Sequence, residues 1–160
     1  MRLPIQYKLL TADDYAKLLK LWVAAEAIEV RPVETANSLA LFLQKNPTSN
    51  YAAYAGSRLV GALLAGHDGW RGHLYHLAVK PDYRERSIGT KLVSVAVEAL
   101  KRDGITRIHC LVKRDNLIAQ QFWEACGFEW REELYDYSKS QRHHSLVNIS
   151  HKIISQPNEG

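Results

Sequence analysis

Residues 72–90 read GHLYHLAVKPDYRERSIGT, and the fold can be worked out from this stretch. It begins as a short apolar strand, turns at Pro81, continues as a basic loop and ends in the first turn of a helix. The backbone N–H groups of residues 86–90 then lie at a helix N-terminus, where they lack partners within the helix. Arg84 and Arg86 add positive charge beside them. We therefore predict that this loop binds an anion, most simply a phosphate group.

The rest of the chain alternates helices with strands around this stretch. Upstream, apolar periodicity and turn residues predict a strand at 5–10, a helix opened by Thr11 and Asp14, a helix from Thr35 to Asn46-Pro47, and a hairpin at 51–55 and 59–66. Downstream, they predict a helix at 88–102, a strand at 107–113, a short helix to Ala125, and two last strands at 128–137 and 145–154. This order predicts one α/β (or α+β) domain over residues 1–154, with a frayed tail at 155–160.

Composition excludes several classes of protein. The 160 residues are 46% hydrophobic and 24% charged, which is ordinary for one globular domain. With no apolar run long enough for a bilayer and no export signal, we expect a cytoplasmic protein with no membrane partner. The net charge of +4 is spread along the chain, which favours a solvated surface over a nucleic-acid interface. Two cysteines do not suggest a disulfide framework, and no Cys/His spacing suggests a metal site.

Two motifs carry a resemblance to a known family. Residues 84–89, RERSIG, resemble the (Gln/Arg)-x-x-Gly-x-(Gly/Ala) loop of the GCN5-related N-acetyltransferases (GNAT), and Leu77-Ala78-Val79 is similar to the strand before that loop. Further on, Asn116, Ala119, Trp123 and Gly127-Phe128 fall at the spacing of the family's second motif, Asn-x-x-Ala-x-x-x-Tyr-x-x-x-Gly-Phe. The two motifs stand in the family's order, separated by one helix and one strand.

This resemblance implies a mixed, mostly antiparallel sheet with helices on both faces and a splayed central pair of parallel strands, here residues 73–79 and 107–113. The pantetheine arm of acetyl-CoA, the co-substrate, would lie between them and bond to their backbone, while the 84–90 loop would meet the pyrophosphate. The implied cofactor-binding residues are Leu77, Ala78, Val79, Arg84, Glu85, Arg86, Ser87, Ile88, Gly89, Thr90, Asn116 and Trp123.

The resemblance also implies a catalytic set in the central strand: His73, Tyr75 and Leu77. The N–H of Leu77 would polarise the acetyl carbonyl as an oxyanion donor. His73 stands at the position of the general base in several members, and its alternative role is that of a hydrogen-bonded histidine at a strand end. Strand alternation places Tyr75 on the face of His73 and His76 on the other.

Two residues depart from the family pattern. Ser87 replaces the first glycine of the loop; we expect it to adopt ordinary backbone angles and to weaken cofactor binding only partly. Trp123 replaces a tyrosine that often protonates the CoA thiolate, and an indole N–H is not a useful acid. Tyr135, Tyr137 or a water supplies that proton, or the thiolate leaves unassisted.

The resemblance therefore implies an acyltransferase that moves an acetyl group from acetyl-CoA to the primary amine of a small molecule or peptide. The alternative is a CoA-binding or sensory domain without catalysis. The sequence does not identify the acceptor. Four charged residues before the second helix are candidates for an acceptor-facing rim or for a solvated loop, namely Glu26, Glu29, Arg31 and Glu34. The predicted last strands offer an edge for a possible homodimer.

Overall fold

The computed structural model describes residues 2–25 and 28–141, and the chain divides into two units, Met1–Phe128 and Glu129–Gly160. All helices and strands within the described residues belong to the first unit. Its strands are β1 (Ile5–Leu9), β2 (Tyr51–Ala55), β3 (Arg58–His67), β4 (Gly72–Val79) and β5 (Ile108–Cys110). Its α-helices are α1 (Tyr15–Ala24), α2 (Ala36–Lys45), α3 (Ile88–Arg102) and α4 (Leu117–Ala125). Two short 3-10 turns, Ala12–Asp14 and Pro81–Tyr83, precede α1 and the anion loop.

The helix starts follow from local side-chain chemistry, as the sequence predicts. The Asp14 carboxylate accepts the backbone N–H of Thr11 at 2.9 Å before α1. At α2, the Thr35 hydroxyl accepts the N–H of Ser38 at 3.1 Å, and the Ser38 hydroxyl accepts the N–H of Thr35 at 2.9 Å. Each pair satisfies N–H groups that the first helical turn leaves without partners.

The sheet has the order β1-β2-β3-β4-β5, antiparallel except for the last pair. β4 and β5 are parallel and pair over three positions only, from Gly72 with Ile108 to Leu74 with Cys110. β4 continues for five more residues, to Val79, beyond the point where this pairing ends. The mixed sheet with one parallel pair of strands is therefore confirmed, and among the described strands this pair lies at the β5 edge of the sheet, not at its centre.

Helices cover both faces of the sheet. One core lies under α1 and α2 and includes Trp22, Leu39 and Leu64. The other lies under α3 and includes Leu74 and Leu92. Because both faces are covered, β3 is a nearly continuous apolar run, and every residue from Leu59 to Gly66 is buried.

Two strand predictions need correction. The strand expected at 107–113 is reduced to Ile108–Cys110, because the chain beyond Cys110 leaves β4 and Leu111 is 66% exposed. Residues 128–137 form no strand; the Leu134 N–H donates to the Arg131 carbonyl at 3.2 Å, which makes a turn there. Alternating apolar residues form a strand only where a neighbouring edge pairs with their backbone, which local sequence does not encode.

The second unit is described by itself over residues 129–141, where Arg131 and Glu133 form an ion pair. The strand expected at 145–154 and the tail at 155–160 lie outside the described residues. The possible homodimer edge remains a prediction. Within residues 2–25 and 28–141, no helix is long and apolar enough to cross a bilayer.

Candidate active site

A β-bulge in β4 is centred on His76. Ala62 of β3 pairs with Ala78, whereas Leu64 pairs with Tyr75, so one residue of β3 stands opposite two residues of β4. His76 has a φ of 51°, a left-handed conformation that side chains other than glycine rarely adopt. A bulge of this kind bends the strand and re-aims the side chains beside it.

The bulge shifts the alternation of β4, so the predicted orientation of His76 is wrong. Before the bulge, Leu74 packs into the core under α3; after it, Ala78 packs into the core under α1 and α2. The rings of His73 and Tyr75 lie 4.4 Å apart, in agreement with a shared face. His76, however, contacts Trp22 of α1 with ring centroids 4.9 Å apart, and it therefore lies on the same side as Tyr75.

A cavity of about 170 Å³ opens on this side of β4. Most of its wall is aromatic or aliphatic, and its ionisable side chains other than tyrosines are Glu34 and His76. The hydroxyls of Tyr15 and Ser38, which also line it, donate to the carbonyls of Glu34 and Val33. The lining residues are Tyr15, Trp22, Glu34, Ser38, Leu39, Phe42, Leu64, Tyr75 and His76. Burial and the negative charge of Asp68 raise the pKa of Tyr75, so its phenol stays protonated at neutral pH.

Glu34 is held at both carboxylate oxygens. One oxygen, Oε1, lies 2.5 Å from Nε2 of His76, and the other accepts the backbone N–H of Arg31 at 2.6 Å. The Tyr15 hydroxyl donates to the Glu34 carbonyl at 2.8 Å, which fixes the backbone as well. An ionised Glu34 requires the proton on Nε2 and leaves the lone pair on Nδ1 of the imidazole. Of the four charged residues considered for an acceptor-facing rim, Glu34 lines the cavity and Glu26 lies outside the described residues, and the rim itself stays a prediction.

Among the described residues, no strand pairs with the β5-facing edge of β4 beyond Leu74, and we call this stretch the open edge. The Lys80 N–H donates to Val60 of β3 at 2.8 Å, and alternation therefore points the N–H groups of Leu77 and Val79 to the opposite, open edge. The Val79 carbonyl on that edge accepts Nε of Arg84 at 3.2 Å. A ligand with amide groups can pair with this edge as an added strand would.

The loop between β4 and α3 takes an unusual backbone path. Glu85 and Ser87 have φ values of 58° and 57°. The expectation of ordinary angles at Ser87 is therefore wrong, because this position uses the left-handed region that a glycine would occupy without strain. α3 begins at Ile88, so the unpaired N–H groups of its first turn lie where the sequence predicts.

Side chains brace this loop. Nη2 of Arg86 donates to the Asp82 carbonyl at 2.8 Å, and its guanidinium lies 4.7 Å from the centre of the Tyr83 ring. Arg86 thus shares its donors between the loop backbone and any anion bound there. The Cα of Gly89 faces α4, because a Cβ added to it would lie 3.3 Å from Phe122. Residue 89 can therefore contact a bound phosphate through its backbone N–H, but a side chain there would point at α4.

The second motif places its residues in α4. The Oδ1 of Asn116 accepts the N–H of Ala119 at 3.0 Å and caps the helix. Trp123 packs edge-on against Phe122 and Phe128, with ring centroids 5.3 and 5.0 Å away. It therefore fills the core beside α3. Tyr135 and Tyr137 are exposed and belong to the second unit.

Comparison with known proteins agrees with this geometry. The sequence model described as "Acetyltransferase (GNAT) family" matches residues 15–128. The chain belongs to this family. Membership makes the protein an acyltransferase. An acetyltransferase from Pectobacterium atrosepticum is 28% identical over 126 residues, covering 78% of this chain and 88% of the relative.

Solved GNAT structures share the fold. A PaiA N-acetyltransferase from Thermoplasma acidophilum in complex with coenzyme A superposes with a TM-score of 0.71 at 20% identity, covering 81% of this chain and 92% of that one. An aminoglycoside acetyltransferase from an uncultured soil metagenomic sample, in complex with sisomicin, gives a TM-score of 0.68 at 17% identity, with coverage of 86% and 97%. At these identities the likeness concerns the fold.

Of the predicted catalytic set, Tyr75 lines the cavity together with His76 and Glu34, whereas the side chain of Leu77 packs against the core under α3. The sequence did not single out Trp22, Leu39, Phe42 and Leu64 as cavity residues, because their helical and strand periodicity is that of ordinary core residues. In the described ranges, no group of three or more His, Cys, Asp or Glu side chains is arranged to hold a metal ion.

Proposed function

We propose that the protein transfers the acetyl group of acetyl-CoA to a primary amine by direct attack in a ternary complex. The observation that carries this proposal is the open edge of β4, which begins where pairing with β5 ends at Leu74 and leads to the N-terminus of α3. An extended pantetheine arm bonds to such an edge, and a pyrophosphate suits the unpaired N–H groups at the helix start. The coenzyme A bound to the Thermoplasma acidophilum relative supports this choice of co-substrate.

In this proposal, two backbone segments and one side chain position the thioester and stabilise the charge that develops on it. The N–H of Leu77 stabilises the oxygen of the tetrahedral intermediate. The backbone of residues 84–90 orients the phosphates, and Asn116 holds the start of α4 on the other side of the gap. Holding thioester and amine in one geometry supplies a large share of the acceleration.

His76 is the better placed proton acceptor. His76 precedes Leu77 in the chain and lines the cavity. The carboxylate of Glu34 contacts its Nε2, and such a contact fixes the tautomer and the orientation of a histidine base. His73 does not line the cavity and contacts Tyr75, so it is the second candidate, as implied by its position in the sequence.

The bond changes balance without a further reactant. The neutral amine forms the N–C bond, the C–S bond breaks, and His76 takes one proton from the nitrogen. The thiolate of CoA takes one proton from water, and the proton held by His76 then neutralises the hydroxide that remains. An acetylated cysteine intermediate is disfavoured: burial and the neighbouring Cys126 raise the pKa of Cys110 to about 11, and burial raises the pKa of Cys126. Protonated thiols are poor nucleophiles.

The test is the release of CoA and the formation of acetylated product from acetyl-CoA and a panel of primary amines. Transfer that depends on both substrates, with intersecting initial-rate lines, is the expected result. Parallel lines would indicate a covalent intermediate and contradict direct attack. Tight binding of acetyl-CoA without transfer to any amine would support the CoA-binding or sensory alternative.

A further inference from the structure

The cavity beside β4 is lined mostly by apolar and aromatic side chains. Among them, Leu39, Leu64 and Trp22 are buried, at 7%, 7% and 2% exposure. Apolar cavities of roughly 150 Å³ accommodate a single benzene ring. A volume of about 170 Å³ therefore suits one phenyl or branched alkyl group.

Glu34 and His76 form a charged corner of the cavity, and this corner has room in its chemistry for one ammonium group. Among the lining residues, the ionisable side chains other than tyrosines are Glu34 and His76, and they lie 2.5 Å apart. A carboxylate there attracts one ammonium group as it approaches. A second ammonium elsewhere in the cavity would find no second carboxylate among the lining residues and would lie mainly against Leu39, Phe42 and Leu64, and burying an unpaired charge is costly.

From this separation of charge and hydrocarbon we infer that the acceptor is a primary amine bearing one uncharged apolar group, which occupies the cavity while the nitrogen lies at the Glu34–His76 corner. The inference rests on the proposed acetyl transfer and names its substrate class. Polyamines and aminoglycosides do not belong to this class, because their further amines and hydroxyls would lie against apolar side chains. Sisomicin, held by one relative of the same fold, is therefore not an expected substrate.

The decisive experiment compares pentylamine with putrescine, which differ only in a terminal methyl group against a terminal ammonium. We expect kcat/KM for acetyl transfer to be at least ~100-fold higher for pentylamine, because putrescine would bury a charge without a partner. Isopentylamine and a tripeptide that begins with leucine present the same apolar group from a free amine and from a peptide N-terminus. The faster of the two identifies the source of the acceptor.

Variants of Leu39 test the cavity in two directions. Leu39→Ala enlarges it and should raise the ratio of kcat/KM for phenethylamine over pentylamine; Leu39→Phe fills it and should lower that ratio by about 10-fold or more. The matched control is Leu41→Phe, since Leu41 is 53% exposed on the same helix and does not line the cavity; its ratio should equal that of the wild type. Partial loss of the fold cannot shift this kcat/KM ratio in opposite directions in the two Leu39 variants. Thermal unfolding checks that each variant is folded.

The outcomes separate this inference from the proposed function. Transfer to putrescine or sisomicin at a rate equal to or above that for pentylamine overturns the substrate class and leaves the acetyltransferase assignment intact. If the ratio of kcat/KM for phenethylamine over pentylamine is unchanged in both Leu39 variants, the substrate class is likewise overturned and the acetyltransferase assignment stays. Transfer to none of these amines, with acetyl-CoA bound, overturns both. If either Leu39 variant fails to fold, the wild-type comparison of pentylamine with putrescine decides alone.

Discussion

His76, within the open stretch of β4, and Ser87, at the start of α3, occupy left-handed backbone conformations. Each such residue costs about 1–3 kcal/mol, and it persists only where the surrounding structure holds it. At His76 the bulge of β4, the ring of Trp22 and the carboxylate of Glu34 do so. The bulge thereby turns the imidazole of His76 into the cavity, one residue before Leu77 in the chain.

Replacement of His76 by alanine should lower kcat/KM about 10²- to 10⁴-fold, since a positioned base contributes that much. The pH dependence of its rate should also differ from that of the wild type, because the proposed proton acceptor is gone; the other ionisable groups that line the cavity are Glu34, Tyr15 and Tyr75. His73→Ala is the matched comparison and should cost less than about 10-fold. A larger loss at His73 would return the role of base to the residue that the sequence favours.

Replacement of Ser87 by glycine should stabilise the protein by about 1 kcal/mol, because glycine adopts a φ of 57° without the clash of a Cβ. Thermal or urea unfolding measures this directly. Ser94→Gly, at an exposed position inside α3, is the control and should destabilise by about 0.5–1 kcal/mol. Equal destabilisation by both substitutions would mean that the loop does not strain Ser87.

Residue patterns predicted the anion loop but not the bulge. The start of α3 at Ile88 could be inferred because apolar spacing and the loop sequence both mark it. The bulge depends on how β3 and β4 pair, and a shift of one residue in pairing reverses the faces of a strand. For that reason strand alternation placed His76 on the face opposite Tyr75, whereas His73 was assigned as the base from the family resemblance.

At the scale of elements, capping residues and apolar periodicity predicted where the helices begin. α1, α2 and α3 begin at or within a few residues of the expected caps, since those side chains bond to the first helical turn. Strand ends were predicted less well, because a strand ends where its neighbour leaves it. β5 ends at Cys110, although apolar alternation continues to Val112.

One contact between elements should make stability depend on alkaline pH. The Tyr54 hydroxyl of β2 donates to Asp14, before α1, at 2.8 Å; burial, this bond and the Asp14 charge raise the pKa of Tyr54 to about 12. The unfolded tyrosine loses its proton near pH 10, so between about pH 10 and 12 the folded state binds more protons than the unfolded state.

The free energy of unfolding should therefore fall as pH rises through this range, by at most ~1.4 kcal/mol per pH unit from this group. Tyr54→Phe removes the ionisation, and its urea midpoint should fall less steeply over the same range. Tyr137→Phe, at a residue that is 90% exposed, serves as the control and should follow the wild type. Identical slopes for wild type and Tyr54→Phe would contradict the assignment.

At the scale of the molecule, the order of elements predicted a mixed sheet covered by helices, which is the architecture observed. The cavity was not predictable, because it forms where side chains from α1, α2, β3, β4 and the connection before α2 meet, and each of these looks like an ordinary core or loop residue on its own. The parting of β4 from β5 is also a property of the assembled sheet. It provides the open edge on which the proposed acetyl transfer depends.

Amide hydrogen exchange on β4 tests this account most directly. Addition of acetyl-CoA should slow exchange at the N–H groups of Leu77 and Val79, which point to the open edge. Ala78, whose N–H points to β3, should exchange at an unchanged rate and is the internal control. Unaltered exchange at both Leu77 and Val79 under saturating acetyl-CoA would contradict the claim that this edge holds the co-substrate.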